Sequence, residues 1–256
     1  MIIYGINTVI EALRAGRVRE LRIGNRAGER MEQLLALAAE QGIRASRVPP
    51  DVLDREARHG VHQGVVARVD APAEHTVDDI VRAAVGPALI VVLDGIEDPQ
   101  NLGAILRTAD AAGVHGVVVQ SRRSAALDGA AAKASAGALS HVRIAEVVNI
   151  ARAIAELKEA GVWTVGLDGE ATAMYDAIDF TAPSAIVLGA EGSGLRRLVK
   201  ERCDFLAAIP MHGHVASLNV SVAAGIVLFE AVRQRRSSGS IGRTPVIDSG
   251  SEKDRP

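Results

Sequence analysis

The fold is decided by LDGIEDPQNLGAILRTADAAG (residues 93–113), together with IVLGAEGSGLRR (186–197) and IPMHGHVASLNVSVAAGIVLFEA (209–231). Each stretch begins with an apolar run that breaks at a polar or Gly-rich loop, and two of the three then enter a helical pattern. Ligand-binding loops at the carboxyl ends of parallel strands have this sequence form. The three stretches therefore predict an α/β fold with a ligand site built from loops.

The region 88–236 alternates strands with helices. Its strand candidates are nearly continuous in Val, Ile, Leu and Ala, which is typical of parallel strands buried on both faces. These candidates are ALIVVLDGI, GVVVQSR, VWTVGLDG, SAIVLGAEG and FLAAIPM. The long helix candidates are DPQNLGAILRTADAAG, NIARAIAELKEAG and SLNVSVAAGIVLFEAVRQRR.

Three further regions complete the predicted organisation. Residues 1–70 read as a small α/β unit, with short strands and an amphipathic helix around Leu34. Residues 71–87 carry a proline at each end and a short helical pattern, which predicts a linker and a domain boundary. Residues 237–256 hold few large apolar side chains and many Ser and Gly, which predicts a disordered tail.

Composition excludes several classes of protein. The chain has 256 residues, 48% hydrophobic but only 2% aromatic, which favours close-packed α/β layers over an aromatic-rich β-sandwich. A single cysteine excludes an internal disulfide and fits a reducing compartment, so we expect a cytoplasmic protein. No apolar run has the length of a membrane span, and the N-terminus does not read as a signal peptide, so no membrane partner is expected.

Charge alone says little about a nucleic-acid partner. The formal net charge is −2. The segment from Arg14 to Arg30 holds six arginines and two glutamates. Guanidinium groups suit phosphate, but a bias in codon composition would produce the same count.

Five polar residues interrupt the three stretches: Asn101, Arg107, Glu191, Ser217 and Asn219. No Lys, Cys or His nucleophile stands among them. On one continuous helix Asn101 and Arg107 lie about 240° apart, so they share a site more easily if Asn101 is in the entry loop. Arg107 is a candidate partner for Glu191, although a surface ion pair with Asp110 at i+3 would also explain it.

The glycines and the remaining polar residues have ordinary explanations as well. Gly189, Gly192 and Gly194 could cradle a ligand or could simply form a tight turn. Their spacing is not that of the dinucleotide fingerprint, and the Walker lysine is missing. Ser217 and Asn219 could each cap the last helix, but only one of them can be the cap. His212 and His214 lack further ligands nearby, so no metal is expected.

The three stretches, in this order and without a break, resemble the motifs of the SpoU/TrmH family of RNA ribose 2′-O-methyltransferases. IYGINTVIEAL and GVHQGVVARV look like the small substrate-binding domain of the subgroup that methylates a guanosine in 23S ribosomal RNA. The resemblance covers residues 2–236. It implies a SPOUT domain with a C-terminal trefoil knot, a small L30e-like α/β domain at the N-terminus, a homodimer, S-adenosylmethionine as cofactor and ribosomal RNA as partner.

The resemblance also implies roles for residues. Those matching the catalytic set are Asn101, Arg107, Glu191, Ser217 and Asn219, and those matching the cofactor site are Gly189, Gly192, Ile209 and Leu218. Arg107 would stabilise the developing alkoxide, because arginine stays protonated. Asn101 would orient Arg107 or the ribose, and Glu191 would fix the Arg107 guanidinium by a charge-assisted bond. Ser217 and Asn219 would position substrate phosphate or ribose.

Three alternatives remain open on the sequence. A transfer-RNA methyltransferase of the same family is disfavoured by the N-terminal domain, which simpler members of that kind lack. A catalytically silent RNA-binding protein would require loss of the polar set, and none is visible. A nucleotide-dependent dehydrogenase is disfavoured because the glycine spacing is wrong.

Overall fold

The computed structural model describes residues 1–239, apart from residues 26, 72, 123, 126 and 128. The strands are β1 (Ile2–Tyr4), β2 (Val18–Ile23), β3 (Ala45–Arg47), β4 (Val65–Val69), β5 (Leu89–Asp94), β6 (Gly116–Gln120), β7 (Ile144–Val147), β8 (Trp163–Leu167), β9 (Ala173–Met174), β10 (Ser184–Gly189) and β11 (Phe205–Ala208). The helices are α1 (Ile6–Arg14), α2 (Glu29–Glu40), α3 (Pro50–Glu56), α4 (Val77–Arg82), α5 (Pro99–Ala111), α6 (Gly129–Ala134), α7 (Ile150–Glu159), α8 (Arg197–Arg202) and α9 (Val220–Ser237). Short 3-10 turns span Ala138–Ser140 and Tyr175–Ala177.

The N-terminal strands form a sheet of order β1-β4-β2-β3. β4 runs antiparallel to both of its neighbours, and β2 and β3 are parallel. The apolar faces of α1 and α2 close one side of this sheet, with Val9, Leu13 and Leu34 fully buried. The predicted small α/β unit is therefore present, although its pattern did not reveal β1 or α3.

The second sheet has seven strands in the order β7-β6-β5-β10-β8-β11-β9, and all its pairs are parallel. Every residue of β5 is buried, because helices cover both faces. This arrangement confirms the predicted α/β fold with a parallel sheet. β7 was not anticipated from the sequence.

α5 begins as its sequence predicts. Asp98 caps the helix by accepting a hydrogen bond from the Gln100 amide at 2.9 Å, and Pro99 occupies the first helical position. Gly113 follows the helix with φ 68°. Asn101 therefore lies inside the first turn, so the idea that it belongs to the entry loop is wrong.

The predicted linker contains a capped helix. The Thr76 side chain accepts from the Asp79 amide and the Asp79 side chain accepts from the Thr76 amide, which starts α4. Val77 and Ile80 are buried in the core layer beneath β5 and β6. The segment 71–87 thus supplies residues to the core. Its assignment as a linker between domains at 1–70 and 88–236 stays a prediction. The predicted disordered tail begins at residue 237, within the end of α9, and residues 240–256 lie outside the described residues.

The N-terminal unit packs against α6 and the turn that follows it. Lys133 donates to the Val61 carbonyl at 2.7 Å, and Arg17 donates to the Ser140 hydroxyl at 3.2 Å. On its other side α6 touches α5 so closely that a Cβ at Gly103 would lie 2.2 Å from that of Ala134. The segment from α6 to Ser140 therefore joins the N-terminal unit to the helix that carries Asn101.

Candidate active site

A cavity of about 410 Å³ opens at the carboxyl ends of β8, β10 and β11. Residues expected to bind cofactor all line it: Gly189, Gly192, Ile209 and Leu218. Three of the five expected catalytic residues line it as well: Glu191, Ser217 and Asn219. Asn101 and Arg107 do not line the cavity.

Residues 190–194, which we call the glycine loop, form a tight turn at the wall of this cavity. The amides of Ala190 and Gly194 each donate to the other's carbonyl, at 3.1 and 2.9 Å. Gly192 and Gly194 have φ values of 76° and 65°, a region that favours glycine. A Cβ on Gly189 would lie 2.2 Å from the Gly194 carbonyl carbon. The tight turn expected from these glycines is therefore observed, and since the loop lines the cavity, a ligand cradle at this place stays a prediction.

The Asn219 side chain joins the three stretches at one point. As N-cap of α9, its Oδ1 accepts from the Ser221 amide at 2.9 Å and from the Ser221 hydroxyl at 2.6 Å. Its Nδ2 donates to Asn101 Oδ1 at 2.9 Å and to Glu191 Oε1 at 2.8 Å. Both lone pairs and both amide hydrogens are used, so Asn219 orients its neighbours and has no capacity left for substrate.

Two polar groups remain available beside Asn219. Within the described residues, the amide nitrogen of Asn101 has no hydrogen-bond partner, and neither has the second oxygen of Glu191. Asn101 is 7% exposed and Glu191 is exposed at the cavity. The network thus holds a donor and an anionic acceptor side by side. Ser217 is exposed, and because Asn219 is the cap, the Ser217 hydroxyl makes no hydrogen bond to any residue that the structure describes.

Arg107 lies on the exposed face of α5, because six residues of helix rotate it about 240° from Asn101. It forms no ion pair within the described part of the chain, so neither Asp110 nor Glu191 is its partner here. The expected bond between Glu191 and Arg107 is therefore wrong. The Glu191 carboxylate accepts from Asn219 instead.

Asp168 is a cavity residue that was not among the candidates expected from the sequence. It directly follows β8 and forms an ion pair with Lys200. Burial by itself raises the pKa of Asp168, but the Lys200 ammonium and the Glu170 amide outweigh it and hold the pKa below its usual value. The signal was present, since LDG occurs at 167–169 as well as at 93–95. The cavity therefore has two carboxylates, Asp168 and Glu191, in its wall.

The structure also describes the single cysteine, the arrangement of possible metal ligands and the lengths of the helices. Burial raises the pKa of Cys203 to about 12, so its thiol is not a nucleophile at neutral pH. Across the described residues, no group of three or more His, Cys, Asp or Glu side chains could hold a metal ion. No helix in the same residues is long and apolar enough to cross a membrane.

Comparison with known proteins matches both parts of the chain. The sequence model of the SpoU rRNA Methylase family matches residues 88–229, and the model for RNA 2′-O ribose methyltransferase substrate binding matches residues 2–75. The chain belongs to the SpoU rRNA methylase family. The family assignment made from the three stretches is confirmed.

Individual relatives match over nearly the whole chain. The 23S rRNA (guanosine-2′-O-)-methyltransferase RlmB of Shewanella oneidensis is 47% identical, over 92% of this chain and 98% of the relative. RlmB of Xylella fastidiosa is 45% identical, over 91% of this chain and 96% of the relative. Among solved structures, the SpoU methyltransferase AviRb from Streptomyces viridochromogenes, in complex with AdoMet, has a TM-score of 0.77 and 30% identity. The match covers 93% of this chain and 91% of AviRb.

Proposed function

We propose that this protein transfers a methyl group from S-adenosylmethionine to the 2′-hydroxyl of a guanosine in 23S ribosomal RNA. The observation that carries the proposal is the Asn219 network, which ties residues of all three sequence stretches together beside the cavity. The RlmB relatives, similar along almost their entire length, support the choice of substrate.

The cavity suits this cofactor in size and in chemistry. Its volume of about 410 Å³ lies in the range of small-molecule sites. The backbone at Gly189, Ile209 and Leu218 offers hydrogen-bonding groups for an adenosine, and the loop glycines allow close approach. The Glu191 carboxylate provides negative charge for a cationic ligand, whereas the charge of Asp168 is paired with Lys200. S-Adenosylmethionine supplies a methyl group on a positively charged sulfur, so no metal Lewis acid is required.

The residues beside the cavity would orient and activate the ribose. The free amide of Asn101 can donate to a ribose oxygen, and the free oxygen of Glu191 can accept from a ribose hydroxyl. Asn219 holds both groups in place. Arg107 lies outside the cavity on the exposed face of α5, and its guanidinium would stabilise the negative charge that develops on the 2′-oxygen of a ribose that reaches this face. Most of the rate gain would come from alignment of the two reactants.

We also propose that the protein acts as a homodimer. Val222 and Phe229 lie seven residues apart on α9 and are each 50% exposed, and Ile226 between them is partly exposed. This spacing places the three on one face of the helix. A second copy that covers this face would bury an apolar stripe next to α5, where Arg107 lies, since α9 packs on α5.

The implied trefoil knot and L30e-like N-terminal domain remain proposals. The strand order supports the knot: β10 lies between β5 and β8, β11 lies beyond β8, and α9 then returns to pack on α5 and β10. The four-stranded sheet with α1 and α2 supports the N-terminal assignment. We assign this unit, chiefly the Arg14–Arg30 segment and the loop at His62 and Gln63, to RNA contacts, and place the protein in the cytoplasm with its substrate.

A deletion strain tests the substrate. We expect one guanosine in 23S ribosomal RNA to lose its 2′-O-methyl group, and purified protein to restore it on RNA from that strain. An Arg107→Ala variant provides the control, because it should bind S-adenosylhomocysteine within a few-fold of the wild type and yet restore nothing. Unchanged ribosomal methylation would contradict the proposal, and transfer to tRNA but not to ribosomal fragments would establish the transfer-RNA alternative.

A further inference from the structure

We propose that Asp94, Gln120 and Arg196 form a clamp that positions the glycine loop, and through it Glu191, for cofactor and substrate. We call these three residues the strand-end clamp. The inference rests on the proposed function for its consequences, but the ordering of the loop can be measured without any ligand. None of the three residues lines the cavity, so they are positioning residues rather than catalytic ones.

The clamp joins the ends of two strands to the residue that follows the loop. Asp94, the last residue of β5, is completely buried. Its Oδ2 accepts from the Arg196 amide at 2.9 Å, and its Oδ1 accepts from Arg196 Nε at 2.7 Å and from Arg196 Nη2. The same Nη2 donates to Gln120 Oε1, at the end of β6, at 2.9 Å.

A buried carboxylate at this place needs an explanation. Only the carboxylate is buried, since the Arg196 side chain is 46% exposed. Burying a charge costs free energy that an ion pair often only offsets, so stability alone is weak grounds for the presence of Asp94. The geometry offers a positional reason, because the ion pair reaches across two strand ends to a fixed point in the chain. Planar guanidinium donors make such a contact directional, in contrast to a lysine ammonium.

The glycine loop needs such an anchor. Its glycines have wide backbone freedom, and its own structure depends on a few backbone hydrogen bonds between Ala190 and Gly194. Upstream, the loop is fixed by β10, which pairs with β5 along its whole length. The last pair joins Gly189 of β10 to Asp94 of β5. Downstream it is fixed by Leu195, which is buried, and by Arg196. Without the clamp, the downstream end of the loop would be held by the packing of Leu195 alone.

The loop in turn places Glu191 against Asn219. Glu191 Oε1 lies 2.8 Å from Asn219 Nδ2, a contact that a loop displacement of about 1 Å would break. The chain after Asp94 also approaches the loop, since a Cβ on Gly95 would lie 3.6 Å from the Ala190 Cβ. The clamp thus acts on the site in two ways, by shaping the cavity wall and by aiming one carboxylate.

The test compares Asp94→Asn with a matched change at the opposite end of the sheet. Asp204 is also mostly buried, accepts from the Thr164 amide at 2.9 Å and pairs with Lys158 at 2.7 Å. It directly precedes β11, does not line the cavity, and its side chain makes no hydrogen bond to the described residues 190–196. Asp204→Asn therefore removes a comparable ion pair without touching the loop. A double variant, D94N/R196Q, replaces the whole pair by neutral groups and leaves no buried charge unpaired.

Three measurements are made on each variant. They are hydrogen exchange of the amides of residues 190–195 without ligand, calorimetric affinity for S-adenosylhomocysteine, and kcat and KM for methyl transfer to ribosomal RNA. If a variant populates the ordered conformation of the loop only about a tenth of the time, its apparent affinity for S-adenosylhomocysteine falls about tenfold. We expect Asp94→Asn and the double variant to speed hydrogen exchange of the loop amides and to bind S-adenosylhomocysteine about tenfold more weakly. The fold decrease in kcat should be larger than the fold change in KM. Asp204→Asn should keep loop exchange and affinity within twofold of the wild type.

Protected loop amides and unchanged affinity in Asp94→Asn would overturn the inference. It would also be overturned if both aspartate variants lost affinity in proportion to their melting temperatures, because the effect would then be one of general stability. A wild-type protein that fails to bind S-adenosylhomocysteine would contradict the proposed function instead. In that case the exchange measurement still decides whether the clamp orders the loop.

Discussion

The two ends of the strands in the seven-stranded sheet, which we call its carboxyl edge and its amino edge, differ in how their polar groups are satisfied. At the carboxyl edge, the cavity wall holds glycines with positive φ, a free serine hydroxyl and a carboxylate with one oxygen unused. At the amino edge, buried polar groups are closed off by protein partners, as around Arg235 and Asp204. The difference shows where this fold keeps hydrogen-bonding capacity for ligands, in agreement with the general rule for parallel sheets.

Arg235 is the strongest example of closure at the amino edge. It is 2% exposed, near the end of α9, and its guanidinium donates to the carbonyls of residues that precede β5 and β10. The acceptors are Pro87 at 2.6 Å, Ala88 at 2.8 Å, Phe180 at 2.8 Å and Ala182 at 3.1 Å. Four carbonyls thus take the place of a carboxylate, and burial lowers the pKa of Arg235. The residue fastens the last helix to the sheet.

The largest effect should therefore come from Arg235→Ala. Because it leaves several buried carbonyls without a donor, we expect it to lower the free energy of unfolding by on the order of 3 kcal/mol. Urea unfolding measures this directly. Arg236→Ala serves as control, because Arg236 is the exposed neighbour of Arg235 and makes none of these contacts. This variant should leave the unfolding curve nearly unchanged. Equal stability of the two variants would mean that the amino edge is not closed by Arg235.

The second effect concerns the carboxyl edge, at Asn219. We expect Asn219→Ala to lower kcat about 100-fold, because Asn101 and Glu191 both lose the group that aligns them. Asn149 offers a matched control, since it also caps a helix, by accepting from the Arg152 amide at 3.2 Å. Asn149→Ala should cost about 1 kcal/mol of stability through the lost cap and leave kcat unchanged.

Asn219→Asp separates capping from alignment. The aspartate keeps an acceptor for the Ser221 amide but cannot donate to Asn101 and repels the Glu191 carboxylate. Stability should stay near that of the wild type while kcat falls as far as in Asn219→Ala. Normal turnover in this variant would show that Asn219 is only a helix cap, which was the alternative left open by the sequence.

Patterns within one segment could be predicted from the sequence, and contacts between segments could not. The Asp98 cap, the buried strands and the terminal glycine of α5 follow from local chemistry, and each is observed. The pairing of Glu191 depends on how residues 28 positions apart meet in space, and Arg107 was the wrong partner. Arg235 stands in the basic run RQRR, where nothing local distinguishes it from Arg236.

The same limit applies to the strand-end clamp. The sequence analysis assigned no role to Asp94 or Arg196, which are 102 residues apart in the chain. Only the strand order, which brings β10 next to β5, places them together. Seven of the nine site residues that the resemblance implies line the cavity, and their roles stay a prediction. The resemblance carried no information about which of them bond to one another.

The smallest effect should come from His115, which closes the amino edge beside Arg235. Its Nδ1 accepts from the Leu89 amide at 3.0 Å and its Nε2 lies 3.2 Å from the Val85 carbonyl, so the ring is held as the neutral Nε2–H tautomer. Burial lowers the pKa of His115 below its usual 6.5, with further lowering by the charges of Arg235 and Arg143. Well above pH 6.5 the ring is neutral in both the folded and the unfolded chain.

Below that pH the unfolded chain takes up a proton that the folded chain resists, so His115 should make the protein less stable as the pH falls from 6.5. We expect the free energy of unfolding to decrease more steeply between pH 7.5 and about pH 5.5 in the wild type than in His115→Gln, which cannot titrate. Methyl transfer should not distinguish the two proteins, because His115 lies at the edge opposite the cavity. Parallel stability curves would contradict the buried neutral histidine, and a selective loss of activity in His115→Gln would contradict the separation of the two edges.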